Sequence, residues 1–570
     1  MTKKDIIQLL EKIAIYMELK GENTFKVSAY RKAAQSLETD ERPIEDIADV
    51  TELKGIGKGV GEVIDEYRQT GQSSTLESLQ QEVPEGLIPL LKIQGLGSKK
   101  IAKLYKELNI DSKEALQSAC EQGRVSELSG FAKKTEQNIL EAVKALGAKK
   151  EKYPIDQMRG LSKDIDAYLE TIGHIDKFEV AGSFRRFKEM SKDLDYIIST
   201  DEPDHVQRAL LDMPHKVKEV AVGHTKVSLE LAYDDETIGV DFRLIAPAAF
   251  YHTLQHFTGS KDHNIRIRQL AKAKGEKVSE YGIEQSNGEL LQYQSEAEIY
   301  EHFGVNWIAP PFREDGIEFD KDLSNIIQLD DIQGDIHMHT TYSDGAFSIE
   351  EMVKANIAKG YQFMVITDHS QSLKVANGLS VDQLLRQNEE IKKLNEKYTE
   401  IDIYSGIEMD ILPDGQLDYD NKILAQLDYV IAAIHQSFNQ SQETIMQRLE
   451  NACRNPYVRH IAHPTGRIIG KRPGYEPDIE KLCQLAEETN TILEINANPK
   501  RLDLNAETVK KYPNVKLTIN TDAHHVDHLE FMKYGVATAQ KGFVSKDRVI
   551  NTMSRDEFKE LIENNIKLKK

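Results

Sequence analysis

Two groups of residues in this sequence have the types and spacing of metal-dependent phosphate chemistry. The first begins with Ala-Gly-Ser-Phe-Arg-Arg at 181–186 and Asp-Leu-Asp at 193–195, and a later strand-like run, Gly-Val-Asp-Phe-Arg, carries Asp241. Side chains alternate along a strand, so Asp193 and Asp195 share one face. With Asp241 on a neighbouring strand, they make a carboxylate set suited to two Mg²⁺ ions. Such a pair orients an attacking hydroxyl and stabilises a leaving pyrophosphate. Gly182 and Ser183 offer a backbone amide and a hydroxyl to triphosphate oxygens. Asp-x-Asp alone is usually a solvated strand end; the upstream Gly-Ser and the downstream aspartate raise it above that.

The second group is rich in histidine. Nine of the 17 histidines follow residue 334, several beside carboxylates at the ends of strand-like runs. They read His337 and His339 in His-Met-His, Asp344, His369 in Thr-Asp-His, Glu408, His435, His463, and Asp522 and His524 in Thr-Asp-Ala-His. Imidazoles with carboxylates suit Zn²⁺, Mn²⁺ or Fe²⁺. Nine ligands suffice for three ions, the design of a phosphoester hydrolase with a metal-activated water. Any one of these histidines alone is more often a packed core residue; the series at successive strand ends is what points to metal. Arg467, just past His463, reads either as a bidentate phosphate contact or as a surface arginine. Asp368 is expected to orient a ligand, and His460, His525 and His528 to be structural.

A third pattern carries no chemistry of its own. Leu-Lys-Gly-Ile-Gly-Lys-Gly at 53–59 (Gly55, Gly57, Gly59) and Ile-Gln-Gly-Leu-Gly at 93–97 (Gly95, Gly97) each place a glycine turn before a helix start. Glycine lets backbone amides approach a phosphate at a helix N-terminus. Lys58, Lys99 and Lys100 add positive charge there. The bland reading is a tight helix–helix turn; two spaced copies weaken it.

The elements that must position these groups change along the chain. Up to residue 150, apolar positions recur at three and four, as on amphipathic helices. From about 175, short β-branched and aromatic runs give a small sheet. From 334, strand and helix alternate about seven times, which predicts an α/β barrel with its chemistry at the strand C-termini. The length of 570 residues predicts several domains. Composition excludes a disordered or fibrous chain, and no 18-residue apolar run predicts a membrane span. Three scattered cysteines fit a reduced, cytoplasmic setting. The net charge is −21, yet residues 1–150 hold 23 Lys and Arg against 24 Asp and Glu, so the acidity lies beyond them. Bulk charge therefore does not predict a nucleic-acid coat.

The first 315 residues resemble family X DNA polymerases such as DNA polymerase beta. The similarity runs through the Gly-Ser turn, the three aspartates and His-Phe-Thr-Gly-Ser-Lys-Asp-His-Asn-Ile-Arg-Ile-Arg at 256–268. It implies catalytic Asp193, Asp195 and Asp241, and nucleotide contacts at Gly182, Ser183, Arg186, Phe257, Gly259, Asn264 and Arg268. The glycine turns resemble helix-hairpin-helix motifs, which implies DNA-backbone contacts at Gly55, Gly57, Gly59, Gly95 and Gly97. Three positions depart from the family. Val63 stands where its lyase members have a lysine, His256 replaces the aromatic before Phe257, and Gly239 replaces an arginine that braces the third carboxylate.

The histidine series is similar to the polymerase-and-histidinol-phosphatase (PHP) domain, with His337, His339, Asp344, His369, Glu408, His435, His463, Asp522 and His524 on its nine ligand positions. Together the resemblances imply a multidomain α+β and α/β chain. Its parts are a helical domain with the first helix-hairpin-helix (1–80), a helical domain with the second (81–150), a nucleotidyltransferase palm (151–245), a thumb (246–315), a linker (316–333) and a distorted (β/α)7 PHP barrel (334–570). They imply a DNA polymerase that fills short gaps in repair, with two Mg²⁺, deoxynucleoside triphosphates and gapped or primed DNA as its ligands. The barrel, with up to three Mn²⁺ or Zn²⁺, is expected to be a 3′-5′ exonuclease, with abasic-site endonuclease and 3′-phosphatase as further readings. The chain is expected to act as a monomer, away from membranes. One alternative makes the barrel a metal-stabilised scaffold for a polymerase alone. Another makes the chain a small-metabolite phosphatase with a binding module.

Overall fold

Apolar residues at helical spacing make the first part of the chain wholly helical in the computed structural model, which describes residues 3–39, 44, 47–93, 96–145 and 150–564. The chain divides into two compact units, Met1–Lys149 and Lys150–Lys570. In the first, helices Lys3–Lys20, Thr24–Thr39 and Lys58–Thr70 close over a core that includes Ile6, Leu10, Ile13, Leu37 and Ile64. A second core, with Leu87, Leu90, Ile101, Leu104 and Val143, lies under helices Ser98–Leu108, Lys113–Glu121 and Lys133–Ala145. Val63 belongs to the first core. At that position the chain has a packing side chain in place of an amine.

The second unit contains two main sheets. The first has five strands in the order Lys177–Val180, Asp193–Ser199, Glu236–Ile245, Lys226–Tyr233, Lys216–Val222. Only the second and third are parallel to each other. Its edge strand, Lys216–Val222, is largely exposed and carries Lys216 and Lys218, charges that discourage strand addition. Helices Phe250–Thr258, Lys261–Ala273 and Glu296–His302 follow, with a small three-stranded sheet.

The second main sheet has seven parallel strands in strict chain order, from Gly334–Asp335 to Leu517–Asn520. A bridge between Met338 and Ala523 brings the last strand back to the first, so the barrel is nearly closed. Six of its seven strands, among them Phe363–Ile366, Tyr429–Ala433 and Ile492–Asn496, are buried along their whole length. Parallel strands covered on both faces read as continuous apolar runs for this reason. Residues 316–333 are tied to the barrel: Ile327 and Ile332 are part of its core, and Ile326 pairs with Ser545. Ile155 lies in that same core, and Phe187 and Met190 pack on it. The five-stranded sheet's flank and the barrel therefore share apolar packing.

Candidate active sites

The strand register sets the three aspartates. Asp195 lies opposite Asp241 on the parallel neighbouring strand, and Asp193 opposite Gly239. Burial, then the like charges of Asp193 and Asp241, push the Asp195 carboxyl up to about 6. Burial and Asp241 raise Asp193 as well. Lys226, on the antiparallel strand beside Asp241, reaches its Oδ2 at 2.6 Å. Lys226, Lys192 and Arg243 offset part of this repulsion, yet Asp193 and Asp195 remain raised, the condition in which a divalent cation between the carboxylates is favoured.

The turn before this strand is fitted closely to it. Gly182 has φ +64°, and a Cβ there would fall 2.3 Å from Asp195 Oδ2. Glycine is required for both reasons. The Ser183 hydroxyl donates to Ser191 Oγ at 2.9 Å. Arg186 donates from Nη1 to the Thr258 carbonyl, while its Nε is buried without a hydrogen bond. Arg185 pairs with Glu296 in a bidentate contact of 3.1 and 2.7 Å.

The barrel gathers its ligands around Glu408. Its Oε2 lies 3.4 Å from His337 Nε2, 3.4 Å from His339 Nε2 and 3.0 Å from His369 Nδ1. Its Oε1 lies 3.2 Å from His435 Nε2 and 2.8 Å from His463 Nε2. Asp344 Oδ1 lies 3.5 Å from His369 Nε2 and 3.3 Å from His524 Nε2, and Asp522 Oδ1 lies 3.1 Å from His339 Nε2. Four overlapping groups among the described residues have metal-ligand spacing: His339, Asp344, His369 and His524; His337, His339 and Asp522; His369, Glu408 and His435; and His337, Glu494 and His460, a histidine read from the sequence as structural.

The chemistry of this donor set can be tested against metal. His337 Nε2, His339 Nδ1, His369 Nδ1 and Glu408 Oε2 are buried with no hydrogen-bond partner. Buried polar atoms of that kind are costly unless something satisfies them. Against their burial, the histidines around them hold Glu408 and Asp522 well below the usual carboxylate range. Burial, then His524 and His369, push His339 down to about 3, so it stays neutral. Against their own burial, neighbouring carboxylates raise His337, His435 (to about 10) and His524 (to about 9), so metal binding there releases protons. Anionic carboxylates and neutral imidazole are the forms that bind a cation. The residues fit divalent metal.

Comparison with known proteins agrees. The DNA polymerase beta thumb model matches residues 253–314, the PHP domain model 335–498, a helix-hairpin-helix domain model 1–73 and a SAM-like helix-hairpin-helix tandem model 87–145. A Bacillus subtilis protein named DNA polymerase/3′-5′ exonuclease PolX is 54% identical over 570 residues, 99% of this chain and 100% of its own. A probable phosphatase of Thermoanaerobacter sp. (strain X514) is 30% identical over 231 residues, 38% of this chain and 89% of its own. The chain belongs to the PHP-bearing family X DNA polymerases.

Several residues expected to contact nucleotide in this family are held internally in the polymerase half. Asn264 donates to the His256 carbonyl at 2.8 Å and accepts from Gln255 at 2.9 Å. Phe257 stacks on the Arg243 guanidinium, 3.7 Å from ring to carbon. Gly259 has φ +67°, and a Cβ there would sit 3.3 Å from Arg186 Nη1. Arg268 is exposed. Gly57 and Gly97 cap helices Lys58–Thr70 and Ser98–Leu108 with no side chain over the first amides. Gly55 has φ +106°, Gly59 lies in the first turn of its helix, and Gly95 falls outside the described residues.

Arg467 corrects the sequence reading. It makes a bidentate pair with Glu189 at 3.0 and 2.6 Å and so ties the barrel to the segment just before Asp193. The arginine at the cluster is Arg501, whose Nε lies 3.8 Å from Asp522 Oδ2. The Asp368 carbonyl accepts from the Glu408 amide at 3.0 Å. The Asp368 carboxylate accepts from Thr340 and Ser343, and so fixes the loop that ends in Asp344.

Four further residues went unread in the sequence. Glu494 accepts from the His463 amide at 2.7 Å and pairs with His337 Nδ1 at 2.7 Å. Asp410 pairs with His435 Nδ1. Lys226 and Arg501 complete the set. Asp410 had a signal: it stands two residues after Glu408, hence on the same strand face.

Proposed function

We propose that this chain is a gap-filling DNA polymerase of repair that also removes 3′ nucleotides with its PHP barrel. The observation that carries the reading is that one chain brings three aspartates onto paired strands and gathers barrel histidines and carboxylates at metal-ligand spacing. Two Mg²⁺ at the aspartates, and up to three Mn²⁺ or Zn²⁺ in the barrel, supply the positive charge that stabilises phosphoryl oxygens. Asp193, Asp195 and Asp241 hold ions at the first site. Ser183 and Arg186 meet the triphosphate, and the Phe257–Ser260 turn lies against Arg186. The amides after Gly57 and Gly97 grip the DNA backbone independently of sequence. At the second site, Glu494 and Asp410 fix the orientation of His337 and His435. The substrates are gapped or primed DNA and deoxynucleoside triphosphates, used by a monomer in the cytoplasm. Among the described residues, no helix is long and apolar enough to cross a membrane.

The test is a gapped duplex with a labelled primer and Mg²⁺ or Mn²⁺. Lengthening with deoxynucleotides and shortening without them is the expected result. A primer of unchanged length in both conditions would refute it. A second role for the barrel, as support for the polymerase half, is favoured by the shared core at Ile155 and Phe187. Chelation separates the roles: a pure scaffold loses stability without any nuclease activity having been present.

Two substitutions probe details of this reading. Gly182→Ala is expected to slow primer extension by about 100-fold, since displacing a metal-binding carboxylate by about an ångström has that order of effect. The nuclease should be unaffected, and a Gly182→Ala enzyme that extends normally would refute the packing argument. Arg501→Gln is expected to weaken DNA binding at the nuclease by about tenfold, the loss of one charge-assisted phosphate contact. That shows as a higher KM for single-strand digestion with extension unchanged.

A further inference from the structure

The helix Met532–Lys541 belongs to the barrel and packs on strands Ile492–Asn496 and Leu517–Asn520. Its far end meets the thumb's Pro310–Phe312 turn. There Lys541, mostly buried, donates to Glu314 Oε1 at 2.7 Å. Lys188 holds the other oxygen, Oε2, at 2.8 Å. Arg186 Nε stands 3.5 Å from the same Oε1 that Lys541 occupies, with no hydrogen bond formed. Burial raises the Glu314 carboxyl, but Lys541 and then Arg186 outweigh it and keep it ionised. One anionic oxygen thus faces two cations, one from each catalytic half, and Lys541 is the nearer.

We propose that Lys541 is a positioning residue for nucleotide binding: by occupying Glu314 Oε1 it stops that carboxylate from capturing Arg186, and so leaves the guanidinium available to a triphosphate. The inference rests on the reading of Arg186 as a triphosphate contact. Its physical basis is competition. A partly buried carboxylate that loses one cation draws the next nearest into a charge-assisted hydrogen bond. Arg186 would then have to break that bond before meeting a nucleotide, a cost seen in binding and absent from the chemical step. The metal-binding barrel in this way sets the nucleotide affinity of the polymerase.

The experiment uses the full-length enzyme and single-nucleotide gap filling with a deoxynucleoside triphosphate. Lys541→Met is expected to raise the nucleotide KM about tenfold, with kcat and nuclease activity within twofold of wild type. Lys541→Arg, which keeps a cation on Glu314, should restore the wild-type KM. Adding Glu314→Gln to Lys541→Met should also restore it, because the competing charge is gone. A Lys541→Met enzyme with wild-type KM overturns the inference. So does a raised KM that Glu314→Gln fails to relieve, or a parallel fall in kcat and nuclease activity, which marks a merely structural lysine. If Lys541→Met does not fold, Lys541→Gln is judged by the same KM criterion. Failure of the wild-type enzyme to extend any primer would instead refute the polymerase reading itself.

Discussion

Replacing Asp195 by asparagine is expected to remove primer extension by about a thousandfold, the rate equivalent of several kcal/mol of lost charge stabilisation. It should leave nuclease activity intact and raise the melting temperature of the metal-free protein. The two effects have one cause. In the folded chain Asp195 sits beside Asp193 and Asp241, and its pKa is pushed from an ordinary 3.8 to about 6. A carboxyl whose folded pKa lies above its unfolded value contributes stability at low pH and loses it as pH rises through the folded pKa. The wild-type protein therefore carries a destabilising charge above pH 6. Asparagine keeps the shape and removes that charge, worth about 3 kcal/mol, or a few degrees of melting temperature. The gain should appear between about pH 4 and pH 6 and be constant above that window. Saturating Mg²⁺ should narrow it, because the ions stabilise the wild-type site and bind the variant poorly. Thermal melts across pH, with and without Mg²⁺, check every part of this. An Asp195→Asn protein no more stable than wild type at pH 8 would mean that the carboxylates do not repel as their register suggests.

What the sequence makes legible follows from what local pattern can encode. Asp193 and Asp195 are readable because strand alternation alone puts them on one face. Asp241 is readable as a strand residue, and its place opposite Asp195 requires the parallel pairing of residues 46 apart in the chain. The barrel is legible from the alternation of apolar strands and amphipathic helices, and its ligands from their recurrence at strand ends. Single long side chains that bridge distant segments leave no such signal. Lys226 pairs with Asp241 across the sheet, yet nothing in Thr-Lys-Val-Ser points at Asp241. Arg467 stands where a phosphate contact is reasonable, but Glu189, 278 residues earlier in the chain, claims it. Glu494 is buried among apolar neighbours in Ile-Leu-Glu-Ile-Asn, where only the folded cluster shows that it supports His337 and His463. Residues 316–333 have no clear period because they pack as isolated apolar contacts on the barrel, with short turns between.

Glu408→Gln should have the largest effect on the nuclease. Glu408 is the one carboxylate that reaches histidines from five different places, with His337, His339 and His369 around one oxygen and His435 and His463 around the other. Glutamine preserves volume but replaces an anion with a neutral amide, and one of its two ends becomes a donor. Placed among imidazoles whose neutral nitrogens must accept a metal, that end competes for the lone pairs the metal needs. Loss of nuclease activity by about a thousandfold is expected, again several kcal/mol of charge stabilisation, with primer extension retained. Metal content should fall in the same variant, which elemental analysis of the purified protein measures directly. The outcome for stability distinguishes catalysis from scaffolding. Glu408 is buried and strongly ionised by its histidine partners, so neutralising it leaves those histidines without a counter-charge. A barrel held together by its metals would melt at the same lowered temperature whether metal is stripped from the wild type or Glu408 is changed. Because the barrel packs against Ile155 and Phe187, such a loss would carry into primer extension at elevated temperature and leave it normal in the cold. Full nuclease activity in Glu408→Gln would show that the chemistry runs on the remaining ligands and would overturn the central place assigned to this carboxylate.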